Sequence, residues 1–194
     1  MLLAMLGTTL VLGGCSSIMG TTATHEPIPQ YPEGPAGLQA FFTDVLTAAK
    51  KDDRDRVHDL FESLKMSPAD LRGMFGDRAT ALQKPYDDMM ATLINPGTVE
   101  LVAIVYEKKY DVVEVGPMEL TPAVGPARAE DQAITAALKE HPTLYFARLK
   151  RGTDVGGTRY AFLFYRDGKW RTGNFLGKVL AKRDAELTAT ASPR

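Results

Sequence analysis

The apolar residues change period near residue 95, and that change sets the fold class. Leu38, Phe41, Phe42, Val45, Leu46 and Ala49 lie on one stripe of a first helix, and Val57, Leu60, Phe61 and Leu64 repeat the i, i+3, i+4, i+7 spacing in a second. Ser67-Pro68-Ala69-Asp70 supplies an N-cap, a proline at the first helical position and an acid in the first turn, so a short third helix is expected to run to Gly73 or Gly76. Asp77 is placed to cap a fourth, kinked or restarted at Pro85, with Tyr86, Met89, Met90 and Leu93 on its buried face. Asn95-Pro96-Gly97 then reads as the end of the helices. Beyond it, Val99 to Tyr106 and Tyr110 to Val115 carry the Val, Ile and Tyr content of strands.

Gly116 to Arg128 holds three prolines and reads as a loop, and Ala129 to Glu140 as a short helix stopped by His141-Pro142. Three further strands are expected at Leu144 to Arg151, Arg159 to Arg166 and Lys169 to Phe175. Arg166-Asp167-Gly168-Lys169 is the strongest local signal, because Asp-Gly accepts the positive φ angles of a type I′ turn and so joins two antiparallel strands. The expected class is α+β, with N-terminal helices packed on a C-terminal antiparallel sheet in a single domain over 38–180.

Four prolines (Pro27, Pro29, Pro32, Pro35) and no apolar period mark residues 16–37 as a tether. Ile28 and Tyr31 are the residues that would pack if part of it lies over the domain. Residues 181–194 read as a flexible tail. The one cysteine, Cys15, follows the uncharged apolar run Met1 to Leu12. That run is short of the roughly 20 residues that span a bilayer as a helix, and Gly13 and Gly14 are small, as a processing site requires. Leu12-Gly13-Gly14-Cys15 resembles a bacterial lipobox, although no Lys or Arg precedes the apolar run. The resemblance implies a signal peptide over 1–14, cleavage before Cys15, diacylglycerol on its thiol and a tether beginning there. Ser16, rather than Asp, after the cysteine implies the outer membrane, facing the periplasm. With Cys15 lipidated, no thiol remains for a disulfide or a thiolate metal site, and the fold rests on its apolar core.

Helices first and then a meandering sheet closed by FLFYRDGKWRTGNF resembles the cystatin-like and NTF2-like α+β folds. In those folds a curved antiparallel sheet wraps a long helix and can hold a pocket. The resemblance implies Trp170, Tyr160, Tyr106 and Tyr110 as pocket aromatics; core positions are the alternative for all four.

Residues that carry catalytic chemistry are sparse. The three histidines fall in the tether (His25), at a turn (His141) and on the second helix, where His58 is spaced to pair with Glu62. No metal site and no cofactor are expected. The five serines occupy the tether, helix ends and tail, none in a nucleophile elbow, and the adjacent acids Asp52-Asp53 and Asp87-Asp88 point too far apart to work as a glycosidase pair.

The net charge of -1 conceals a basic stretch with seven Lys or Arg and two Asp between residues 144 and 171. Arg148, Lys150, Arg159, Arg166, Lys169 and Arg171 form a candidate patch for an anionic lipid or glycan, with a solvated sheet face as the alternative. Nucleic acid is not an expected partner. The expectation is a lipid-anchored, non-enzymatic binding module of the cell envelope with a protein or envelope-polymer partner; a small-ligand or catalytic pocket domain is the alternative.

Overall fold

The computed structural model describes residues 26–118, 126–174 and 176–182. Cys15, the signal peptide expected over 1–14 and most of the expected C-terminal tail lie outside the described residues. Helix α1 (Pro35–Lys50) opens with a proline at its first position and buries the whole stripe named above. Asp53 accepts from the Arg56 amide to cap α2 (Arg54–Ser63), whose Val57, Leu60 and Phe61 face inward with Leu64 just beyond. Ser67 and Asp70 form a reciprocal capping box at the start of α3 (Pro68–Phe75).

After α3 the chain departs from the pattern read above. Residues Gly76–Arg78 make a 3₁₀ turn and lead into a helix, α4, that runs from Ala79 to Lys108 with Pro85 and Pro96 inside it. Asp77 does not cap it, since no side chain does. The strand expected over Val99 to Tyr106 is the last third of this helix. The reason is tertiary: Ile94, Thr98, Leu101, Val102 and Val105 continue the buried stripe of Leu82, Tyr86 and Met90, so packing of one face outweighs the β-branched content. Helical run Pro68–Lys108 is long and apolar enough to cross a membrane by composition. Here this stripe packs into the domain, with α4 set against α1, α2 and α3.

The sheet has the order β1-β2-β3-β4, with every neighbouring pair antiparallel. Its strands are β1 (Val112–Pro117), β2 (Tyr145–Lys150), β3 (Thr158–Arg166) and β4 (Lys169–Thr172), and helix α5 (Pro126–Ala137) lies between β1 and β2 in sequence. Asp167 and Gly168 take φ of 48° and 76°, the two positive values a type I′ turn needs. A register shift between Tyr145 and Ala147 places an extra residue on β3, where Phe162 adopts φ 51°. Strand β4 ends at Thr172 instead of Phe175, and residues 176–182 are helical, burying Leu176 and Leu180. Helical structure therefore extends past residue 180, into what the sequence suggests is tail.

Helices α1 and α2 cover one face of the sheet, where Tyr160 packs against Phe42 and Phe61 at ring-centroid distances of 5.1 and 5.5 Å. The free edge of β4 is closed by the α2–α3 connection through Thr172 N–H to Leu64 O, 3.0 Å. Tyr86 ties α4 to the same place: its hydroxyl accepts from Met66 N–H and donates to Thr172 O. Burial holds that hydroxyl protonated well above the usual tyrosine range.

Candidate functional site

The described part of the tether is docked. Residues 26–34 form a strap across α1, α2 and the β3–β4 hairpin. Tyr31 is 8% exposed, its ring set edge-on to Phe41 at 5.1 Å and its hydroxyl donating to Asp44 at 2.6 Å. Burial first, and then the bond to Asp44, push that hydroxyl well above the ordinary tyrosine pKa. Trp170 Nε1 donates to Pro32 O at 3.2 Å, and Arg56 donates to Glu26 O at 2.6 Å. The chain then doubles back so tightly that a Cβ on Gly37 would stand 1.8 Å from the Pro32 oxygen. Segment 28–34 is therefore part of the domain and the boundary expected at residue 38 moves upstream.

Between strap and hairpin lies a cleft of about 530 Å³. Ile28, Pro29, Gln30 and Tyr31 form one wall; Asp167, Gly168, Lys169, Trp170 and Arg171 form another; Phe41, Glu62 and Ser63 complete it. Its floor is aromatic and its rim carries both signs of charge. Trp170 itself is 3% exposed, held edge-on by Tyr145 and Tyr165 at 5.5 and 5.4 Å.

The six cations of the basic stretch do not form one patch. Lys150 and Arg148 pair with Glu114, directly across from Arg148 on β1, at 2.6 and 3.7 Å. Lys150 holds the Glu114 carboxyl below its usual pKa. Arg166 reaches Asp70, Glu140 and Asp167, and Arg171 reaches Asp70 at 3.1 Å while donating to Ser63 O. Arg159 is exposed, with its guanidinium 5.1 Å from the Phe146 ring, and Lys169 is exposed at the cleft rim. Four of the six are thus neutralised by acids that lie at least 26 residues away in sequence or beside them in the turn, and the candidate anion-binding surface reduces to Arg159 and Lys169.

The four candidate aromatics are not gathered at one site. Tyr160 is core, Trp170 lines the strap cleft, Tyr106 is 76% exposed beneath the Lys109 ammonium, and Tyr110 borders a separate shallow depression of about 450 Å³ near the β2–β3 turn. His58 pairs with Asp59 at 3.6 Å, not with Glu62. Among the described residues no group of three His, Cys, Asp or Glu is placed to hold a metal ion.

Sequence reading gave the packed strap, through Ile28 and Tyr31, only as the alternative to a tether, and missed Asp70 as the partner of two of the cations. The Pro-x-x-Pro spacing at Pro29 and Pro32 and the isolated Tyr31 were the available signals for the strap; for Asp70 the capping position hid the second role. Compared with known proteins, the chain matches no family model, no curated protein and no solved structure. The fold and site thus define an α+β domain with an aromatic, strap-covered cleft.

Proposed function

We propose that this chain is a lipid-anchored cell-envelope protein whose α+β domain binds a protein or envelope-polymer partner and is not an enzyme. The observation that carries the choice of binding over catalysis is the packed sheet face. Tyr160 fills it between Phe42 and Phe61, where an NTF2-like pocket would need open volume with convergent polar groups. Ion pairing of the basic residues favours a protein over an anionic lipid or glycan as partner, because a cation already paired gains little from a second anion. The anchoring part of the reading rests on Leu12-Gly13-Gly14-Cys15. Ser16 favours outer-membrane residence on the periplasmic side.

If Cys15 carries diacylglycerol, residues 16–25 alone separate lipid from strap, a reach of at most about 35 Å. Two or more acyl chains make anchoring stable where one is marginal. Labelling cells with a fatty-acid analogue should mark the wild-type protein and not Cys15→Ser; equal labelling of both would remove the anchor. Mild cross-linking of the membrane-bound protein should then recover a discrete partner, and recovery of none, with turnover of a small molecule by the purified protein, would reverse the choice of binding over catalysis.

A further inference from the structure

Strap residues 28–32 sit in the domain as a ligand sits in a receptor. Pro29-Gln30-Tyr31-Pro32 has Pro-x-x-Pro spacing, and three prolines within six residues (Pro27, Pro29, Pro32) fix their own φ and drive the preceding residues Glu26, Ile28 and Tyr31 to extended geometry. No helix or strand includes residues 26–32, and the first positive φ along the described chain is that of Gly34, at 91°. The groove supplies what an extended proline-rich segment needs. An indole N–H reaches a backbone carbonyl, Trp170 Nε1 to Pro32 O, and aromatic rings bed the side chains, Phe41 under Tyr31. Such a segment makes no internal hydrogen bonds and loses little entropy on docking, which is why aromatic grooves with an indole donor recognise it.

We propose that the groove between α1 and the β3–β4 hairpin is a docking site for extended proline-rich segments of a partner protein, with the chain's own residues 28–32 as the resident competitor. This deepens the binding-module reading and rests on it. The cleft beside the strap remains open at about 530 Å³ and is rimmed by Glu62, Asp167 and Lys169, so a longer segment gains contacts the strap does not use. Because the strap is covalently attached, it competes at an effective concentration in the millimolar range, and a partner prevails where it makes those additional contacts.

Trp170 is the single tryptophan, so its emission reports on this groove alone. In the full-length protein in detergent, Tyr31→Ala removes the ring on Phe41 and the bond to Asp44. Its emission should move to longer wavelength, and a synthetic peptide of residues 26–34 should reverse that shift saturably. The same peptide should act on the wild type only at concentrations about tenfold or more higher, because the strap occupies the site. A peptide with alanine in place of both Pro29 and Pro32 should be about tenfold weaker on Tyr31→Ala. Asp44→Ala, which removes the acceptor of the Tyr31 hydroxyl and leaves every core ring in place, provides a second, loosened variant if circular dichroism shows Tyr31→Ala to be unfolded. Folded variants on which the peptide has no effect, or equal action of the alanine peptide, would overturn the proposal. Concentration-dependent dimerisation of the released variant without response to peptide would overturn it in favour of a second copy as occupant. Acyl labelling and cross-linking are independent of this titration, so failure here leaves the anchored binding module standing, and loss of that reading is detected without it.

Discussion

Asp70 is one carboxylate serving three elements. Its Oδ2 accepts from the Ser67 amide and hydroxyl at 2.8 and 2.9 Å, which caps α3, while Arg171 from β4 and Arg166 from the end of β3 approach at 3.1 and 3.5 Å. The carboxylate side chain is 4% exposed and Arg171 13%, so the pairs are shielded from the screening that makes surface ion pairs weak. Removing one partner from such a group leaves charge without compensation and also removes the cap. Asp70→Ala should therefore destabilise the domain by about 3 to 5 kcal/mol, whereas Asp88→Ala, which breaks only the exposed pair with Lys84, should change stability by less than about 0.5 kcal/mol. Urea unfolding of the two variants checks the contrast, and similar midpoints for both would show that Asp70 is a surface charge in effect. The sequence places Asp70 in the first turn of α3, and there its local role ends. Its partners are about a hundred residues downstream, which is why a tally of cations between 144 and 171 suggests an open basic surface that the fold closes.

Helix α4 marks the limit of local reading at the scale of elements. The stripes of α1 and α2, the capped start of α3 and the type I′ hairpin were legible, because each is specified by residues within one or two turns of one another. The end of α4 was not. Asn95-Pro96-Gly97 followed by Val99, Val102, Ile104 and Val105 has the composition of a helix stop and a strand. The same residues also carry the helical spacing Thr98, Leu101, Val102, Val105, and all four are buried. A proline inside a helix costs about 3 kcal/mol, so the packing of this stripe exceeds that cost. Side chains around the proline satisfy nearby carbonyls: Thr92 donates to Asp88 O, Asn95 to Ala91 O and Thr98 to Ile94 O. Pro96 is exposed, so replacing it removes no core contact. Pro96→Ala should restore a donor facing the Thr92 carbonyl and stabilise the domain by about 1 to 2 kcal/mol, net of the entropy the unfolded chain regains. The denaturation midpoint should rise with unchanged slope. A lower midpoint would mean that the local geometry imposed by Pro96 is needed to seat Leu101, Val102 and Val105.

The extent of the domain is a property of the whole molecule, and the strap decides it. Proline-rich sequence without apolar period reads as a spacer because such a segment joins neither helix nor ladder. What docks it lies elsewhere in the chain: Asp44 is 13 residues from Tyr31, and Trp170 is 138 residues from Pro32. No local pattern reveals a partner at that separation. Two chains beginning at Glu26 and at Gly37 separate the alternatives. Both retain every residue of α1's stripe, so a domain that starts at residue 38 would give them equal stability. Loss of the strap uncovers Phe41 and Trp170 and leaves the indole N–H without its carbonyl, and loss of a buried aromatic such as Tyr31 alone costs about 3 kcal/mol. The Gly37 chain should therefore unfold at a midpoint lower by an amount corresponding to about 3 kcal/mol, and its native Trp170 emission should lie at longer wavelength than that of the Glu26 chain. Equal midpoints with a shifted emission would show that the strap covers the groove without stabilising the domain; equal midpoints with equal emission would return the strap to the tether.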